Sequence, residues 1–205
     1  MGSKTNNLWK WQGWDISWSL VNQPNNTSNI NVLLIHGFGA SKEHWRRNQT
    51  ILGQHTNCYA IDLLGFGNSD QPGIDQVGQL DNGVWSDQIT DFIHEIIRPI
   101  NSNKIVIIGN SLGGLVALTC AVSIPEEISG IIASPLPDPI GLKINYSEDE
   151  SKFKSIKYKL IKLFVNLLPI EFILFVIDKF KLIYYFLDFA YEKKEYIDKE
   201  LFNLI

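Results

Sequence analysis

The apolar run Ile105-Val106-Ile107-Ile108 leads directly into Gly109-Asn110-Ser111-Leu112-Gly113-Gly114, and residues 115–122 continue as a second apolar stretch. This order predicts a buried strand, a sharp turn and a helix. A G-x-S-x-G sequence at such a junction holds the serine in a strained conformation that lifts its hydroxyl above the sheet edge. Gly109 and Gly113 suit that geometry, because the strand and helix backbones approach closely where the chain reverses. Ser111 is therefore the candidate nucleophile. A serine of this type needs an imidazole to take its proton, and in such elbows the acid and the histidine follow the serine along the chain. The four histidines are His36, His44, His55 and His94, so none follows Ser111.

The segments around the elbow alternate strand-like and helix-like runs. Trp14, Ile16, Trp18 and Leu20 alternate with polar residues, which predicts a half-buried strand, and Trp9-Lys10-Trp11 before Gly13 can pair with it as a hairpin. The polar stretch 22–29 reads as a loop. Val32-Leu33-Leu34-Ile35 reads as a strand buried on both faces. Ser41 is placed to cap a helix through Trp45, with Glu43 in its first turn, and residues 58–63 form the next strand. After the loop Gly65-Phe66-Gly67-Asn68-Ser69, helical spacing runs from Val84 to Ile97 and stops before Pro99. Ile128 to Ala133 supplies a last strand. The pattern predicts an α/β fold with a mostly parallel sheet and flanking helices.

At 205 residues and 45% hydrophobic content, the chain has enough apolar material for a sizeable core. A net charge of −4 offers no overall basic field, which argues against a nucleic-acid partner and toward a small molecule. Cys58 and Cys120 both lie in apolar runs and are expected to be buried free thiols, and the histidines lack metal-ligand spacing. Gly37-Phe38-Gly39-Ala40-Ser41-Lys42 lacks the third glycine of a dinucleotide fingerprint, and the elbow lacks the lysine of a phosphate loop. No cofactor and no metal are expected. The first residues lack the apolar core of a secretory signal, so a soluble, cytoplasmic location is the expectation.

In order, His36-Gly37-Phe38-Gly39, then Asp62-Leu63-Leu64-Gly65-Phe66-Gly67-Asn68-Ser69, then the Ser111 elbow resemble the α/β-hydrolase superfamily, in its serine-nucleophile branch, over about residues 8–142. The wording of Phe38 to Trp45 and of the elbow is most similar to cyanobacterial and plastid members related to pheophytinase. The resemblance implies a catalytic Ser111 and an oxyanion hole made by the backbone N–H groups of Phe38 and Leu112. It implies an esterase-like hydrolase acting on an ester-type bond of a hydrophobic small molecule. His36 is expected to shape the oxyanion loop, Asp62 to serve a structural role, and Asp138 to be the one candidate acid in the chain.

Residues 1–142 are read as the N-terminal part of the hydrolase core and residues 143–205 as a helical lid. Phe153, Ile156, Leu160, Leu163, Phe164 and Leu167 fall at helical spacing in that tail, and the charge shifts from 8 basic and 15 acidic side chains in residues 1–150 to 10 and 7 in residues 151–205. Family members continue past the lid with two strand–helix units that carry the acid and the histidine. The chain is thus expected to be truncated within the lid, inactive or partner-dependent alone, with a second chain able to supply the C-terminal half. The strand near Ile131 is then expected to be an open sheet edge. The alternative is a non-catalytic binding or membrane-surface protein derived from the same fold, its apolar helices and the lysines near residues 152–162 making peripheral membrane contact.

Overall fold

A computed structural model describes residues 3–23, 28, 30–77, 80–100 and 102–134. The expected lid, its boundary near residue 142 and Asp138 lie outside the described residues. The chain opens with β1 (Ser3–Trp11) and β2 (Trp14–Asn22), antiparallel and joined by Gln12-Gly13. Both loop residues have positive φ, 48° and 92°, the condition for a two-residue turn whose twist matches that of the strands.

There follow β3 (Ile30–Ile35), a 3₁₀ turn over Lys42–Trp45 continuing as α1 (Arg46–Leu52), and β4 (Asn57–Ile61). A short α2 (Ile74–Val77) precedes α3 (Asn82–Phe92), which runs on through a π-helical turn, Ile93–Ile97, into α4 (Arg98–Ile100). Then come β5 (Lys104–Gly109), α5 (Leu112–Ser123) and β6 (Ile128–Ala133). The six strands stand in the order β1-β2-β4-β3-β5-β6, with β4, β3, β5 and β6 mutually parallel. The predicted α/β class and mostly parallel sheet are thus observed.

Strand alternation sorts the side chains into two layers. Leu33, Ile35, Tyr59, Ile61, Ile105 and Ile107 face α3 and α5, which contribute Trp85, Ile89, Phe92, Val116, Ala117 and Cys120 to the main core. Val32, Leu34, Cys58 and Ala60 face the other way, against Trp45 and Leu52. Helices therefore cover both faces, which is why β3 and β4 read as continuous apolar runs.

Three local expectations need correction. β2 is buried on both faces rather than half-buried: Ser17 and Ser19 lie inside, and their hydroxyls take partners there, Ser17 from Lys42 Nζ at 2.9 Å and Ser19 to Gln49 Oε1 at 3.1 Å. Ser41 occupies the cap position but makes no side-chain capping bond, and the helical path extends to Leu52, beyond Trp45. The helix after residue 80 starts earlier, at Asn82, because Asp81 accepts from the N–H groups of Gly83 and Val84. It also continues past Pro99, since the π-helical turn sends the Arg98 N–H five residues back to Ile93 O and makes room before the proline ring.

Candidate active site

The strand order places the chain reversal point at β3 and β5: β4 lies on one side of β3 and β5 on the other, and the loops leaving their carboxyl ends diverge. In open α/β sheets, ligands bind in the crevice at such a switch point. The loop after β3 is His36 to Ser41, and the loop after β5 is Asn110 and Ser111. Two of the motifs read in the sequence therefore meet at one edge.

Ser111 has φ 51° and ψ −112°, one of two non-glycine residues with positive φ among the described residues. Such a conformation costs about 1–3 kcal/mol and persists only where the surroundings impose it. Here they are dense. A β-carbon on Gly109 would overlap the Gly113 carbonyl, and one on Gly113 would overlap the carbonyls of Ile35 and His36. The Asn110 N–H donates to Ile35 O at 3.1 Å, and the Gly113 N–H donates to Asn110 O at 2.8 Å. Strand β5 and helix α5 thus converge on a turn that leaves Ser111 at the tip, its side chain bonding no N–H of α5.

Gly37 closes the approach from the other loop. A β-carbon there would lie 2.9 Å from Asn110 Oδ1 and 3.4 Å from Ser111 Cβ. Phe38, the next residue, exposes 79% of its surface and packs edge-on against Phe66 with ring centroids 5.5 Å apart. Among the described residues, no backbone carbonyl accepts from the N–H of Phe38 or of Leu112. Leu112 is also the first residue of α5, where the helix dipole favours negative charge. Leu112 follows Ser111 directly, and Phe38 follows Gly37, where a β-carbon would lie 3.4 Å from Ser111 Cβ.

The histidines take other duties. His36 is fully buried; its Nε2 accepts from the Leu63 N–H at 3.1 Å, so Nδ1 carries the proton and donates to Gly37 O at 2.7 Å. Burial holds its pKa below the usual imidazole value against the opposing pull of the Gly37 hydrogen bond and the Asp62 charge, with smaller lowering contributions from His44 and Lys42. It shapes the loop after β3, as read from the sequence. His44 packs edge-on against Trp45, His55 lies exposed in the turn after α1, and His94 Nε2 meets Glu127 Oε1 at 2.7 Å. None hydrogen-bonds Ser111.

Sequence reading gave Asp62 a structural role but missed the polar hub it forms with Lys42 and Gln88 behind this edge. Asp62 is completely buried, and its carboxylate accepts from the Lys42 N–H, from Lys42 Nζ at 2.8 Å and from the Asn68 N–H at 3.0 Å. Lys42 is equally buried. Gln88 donates to Asp62 O and accepts from the Leu64 N–H. For Lys42 the available signal was its place at the first position of a helix, where the dipole disfavours positive charge; the glutamines carried none. Among the described residues there is no cluster able to hold a metal ion and no helix long and apolar enough to cross a membrane.

Comparison with known proteins points the same way. The chain is 31% identical over 115 residues to the 1-acylglycerol-3-phosphate O-acyltransferase ABHD5 of Rattus norvegicus, a match covering 56% of this chain and 32% of that protein. It is 33% identical over 122 residues to the 2-hydroxy-6-oxo-6-(2'-aminophenyl)hexa-2,4-dienoic acid hydrolase of Metapseudomonas resinovorans, covering 58% and 38%. The chain spans about a third of the length of these relatives. The crystal structure of a membrane phospholipase A superposes with a TM-score of 0.55 at 28% identity, over 63% of this chain and 39% of that one. The sequence model of the alpha/beta hydrolase family matches residues 32–181, which takes in both loops and the elbow. The chain belongs to the alpha/beta hydrolase family.

Proposed function

We propose that this chain carries the nucleophile and oxyanion hole of a serine hydrolase that cleaves an ester-type bond in a hydrophobic small molecule. Ser111 attacks the carbonyl carbon, and the N–H groups of Phe38 and Leu112 receive the oxyanion. The observation that carries the reading is the strained backbone of Ser111 between β5 and α5, imposed by Gly109 and Gly113. Two fixed donors aimed at developing negative charge in a water-poor site are worth about 3–4 kcal/mol each. The exposed Phe38 ring and the acyltransferase and phospholipase names among similar proteins favour an apolar acyl group.

No histidine of the chain is hydrogen-bonded to Ser111 as its proton acceptor. His36 has both ring nitrogens engaged, and no histidine follows Ser111. Without an imidazole the hydroxyl is a poor nucleophile at neutral pH, although binding and an oxyanion hole alone retain about 10³–10⁴-fold over water in triad knockouts. A fluorophosphonate probe tests this. Labelling of the purified chain is expected to be slight, to rise with added imidazole, and to vanish in Ser111→Ala. Robust labelling without imidazole would show that the chain holds its own base, and labelling indifferent to Ser111→Ala would remove the serine from the mechanism.

The engagement of both His36 ring nitrogens, with no histidine hydrogen-bonded to Ser111, also favours a second reading, a binding or membrane-surface protein that keeps the fold without the chemistry. Salt-sensitive co-sedimentation with anionic liposomes, lost on deleting residues 151–205, would support it.

A further inference from the structure

The five residues Gly37 to Ser41, which include the proposed donor at Phe38, are clamped at both ends to the chain leaving β4. At one end the His36 ring takes the Leu63 N–H. At the other, Lys42 reaches back into the protein: its ammonium donates to Asp62 Oδ2 at 2.8 Å and to Ser17 Oγ at 2.9 Å, and its backbone N–H donates to Asp62 Oδ1. The same carboxylate takes the Asn68 N–H, and Gly67, with φ 57°, passes so close that a β-carbon there would overlap it. Asp62 therefore anchors two loops at once. Those loops meet again at their tips, where Phe38 packs on Phe66.

Stability alone is a weak reason for such a pair. Lys42 and Asp62 keep only 3% and 0% of their side-chain surface in contact with solvent, and an apolar pair of similar volume is often as stable as a buried ion pair or more so. The lysine also sits at the first position of a helical turn, against the dipole. What the charges add is direction, since a carboxylate with three donors fixes the positions of all three.

We propose that Lys42 is a positioning residue: through Asp62 and Ser17 it holds the Gly37–Ser41 loop so that the Phe38 N–H meets the oxyanion at Ser111. The proposal rests on the serine-hydrolase reading above and deepens it.

The test compares the full chain with Lys42→Met/Asp62→Asn, which removes both charges together, and with the milder Ser17→Ala. Imidazole-dependent fluorophosphonate labelling is resolved into an apparent binding constant and a maximal rate. In parallel, amide exchange is followed at Ala40, whose N–H donates to Gly37 O at 3.3 Å, and at Leu34 in β3 as a reference. In the double variant the maximal rate is expected to fall about tenfold with binding within about twofold, a part of the 10²–10³ that losing an oxyanion donor outright costs. Ala40 exchange should accelerate about tenfold while Leu34 is unmoved. Ser17→Ala should move both readouts the same way by about two- to threefold, and it decides the matter if the double variant does not fold. An unchanged maximal rate or unchanged Ala40 exchange in a folded variant overturns the proposal. Labelling of Ser111→Ala at the wild-type rate is a separate result that overturns the serine reading itself.

Discussion

The Nε2 atom of His36 accepts the Leu63 N–H at 3.1 Å, which ties the end of β3 to the end of β4 through a ring with no exposed surface. Only an unprotonated Nε2 can accept. Burial accordingly holds the His36 pKa below its ordinary 6.5, and His44 is lowered as well, by burial and by the Arg46 charge. The unfolded chain then binds more protons than the native one as pH falls below about 6.5, so stability is full above that value and declines below it. Urea melts between pH 7.5 and 5.5 should show this loss. His36→Gln can offer an oxygen to Leu63 without titrating and should flatten the slope; a slope equal to wild type would contradict the assignment. Glu127 acts in a lower window. Burial alone would raise its pKa, but the hydrogen bonds from His94 and Arg98 hold it below 4.5, so its contribution is present above that value and lost in more acid solution.

Gly109 and Gly113 stand back to back at the elbow, and the atoms that a β-carbon would strike are backbone, not the ends of flexible side chains. Backbone cannot yield as a rotamer can. Gly109→Ala and Gly113→Ala should each cost about 1–3 kcal/mol or more, at the upper end of what overpacking usually costs. Gly130 is the control: its β-carbon would meet only Val106 Cγ2 at 3.9 Å, so Gly130→Ala should be nearly neutral or slightly stabilising. Chemical denaturation of the three variants gives the comparison, and similar costs at 113 and 130 would refute the packing argument.

The parallel sheet was legible because β3 and β4 carry the unbroken apolar runs 32–35 and 58–61, and the elbow because strand, glycines and helix occur together. The sequence reading placed the last strand at 128–133, where it stands, at the edge of the described sheet. What escaped it was polar and long-range. Ser17 and Ser19 looked like the solvent face of β2, since alternation cannot tell water from a buried lysine or glutamine. Lys42 and Asp62 are 20 residues apart and meet only because β3 and β4 are parallel neighbours. Pro99 looked like a stop because the π-helical turn that accommodates it has no sequence signature of its own.

The edge strand β1 is fastened to the helical layer by two indoles. Trp9 Nε1 donates to Glu95 Oε2 at 2.9 Å and Trp11 Nε1 to Asp91 Oδ2 at 2.8 Å, while Trp9 also packs edge-on against Phe92. A neutral donor to a carboxylate is stronger than an ordinary hydrogen bond. Trp11→Phe, Asp91→Asn and the double variant should therefore give a coupling of about 1–2 kcal/mol in a double-mutant cycle. A coupling near zero would mean that burial of the ring, not the bond, holds β1 in place.

The two cysteines report on the two sides of the sheet. Cys58 lies under the α1 layer in β4, which is paired on both edges, by β2 and by β3; Cys120 lies on the inner face of α5. Both are fully buried, which pushes the Cys58 thiol up to about 12 and raises Cys120 too, the latter with a small opposing effect from Thr90. Thiolate is the reactive form, so neither should react with an aromatic disulfide reagent at pH 8 in the native chain. Complete unfolding should release two equivalents. At intermediate denaturant the order is set by local opening. Helix α5 packs against β6, the outermost strand on that side among the described residues, and turns Leu118 and Val122 outward, Val122 with 82% of its surface exposed, whereas β4 is central. Cys120 should therefore become reactive at a lower denaturant concentration than Cys58, as read by mass spectrometry of pulse-labelled peptides. Simultaneous labelling would mean that the sheet opens as one unit, and earlier labelling of Cys58 would place the weak layer under α1 instead.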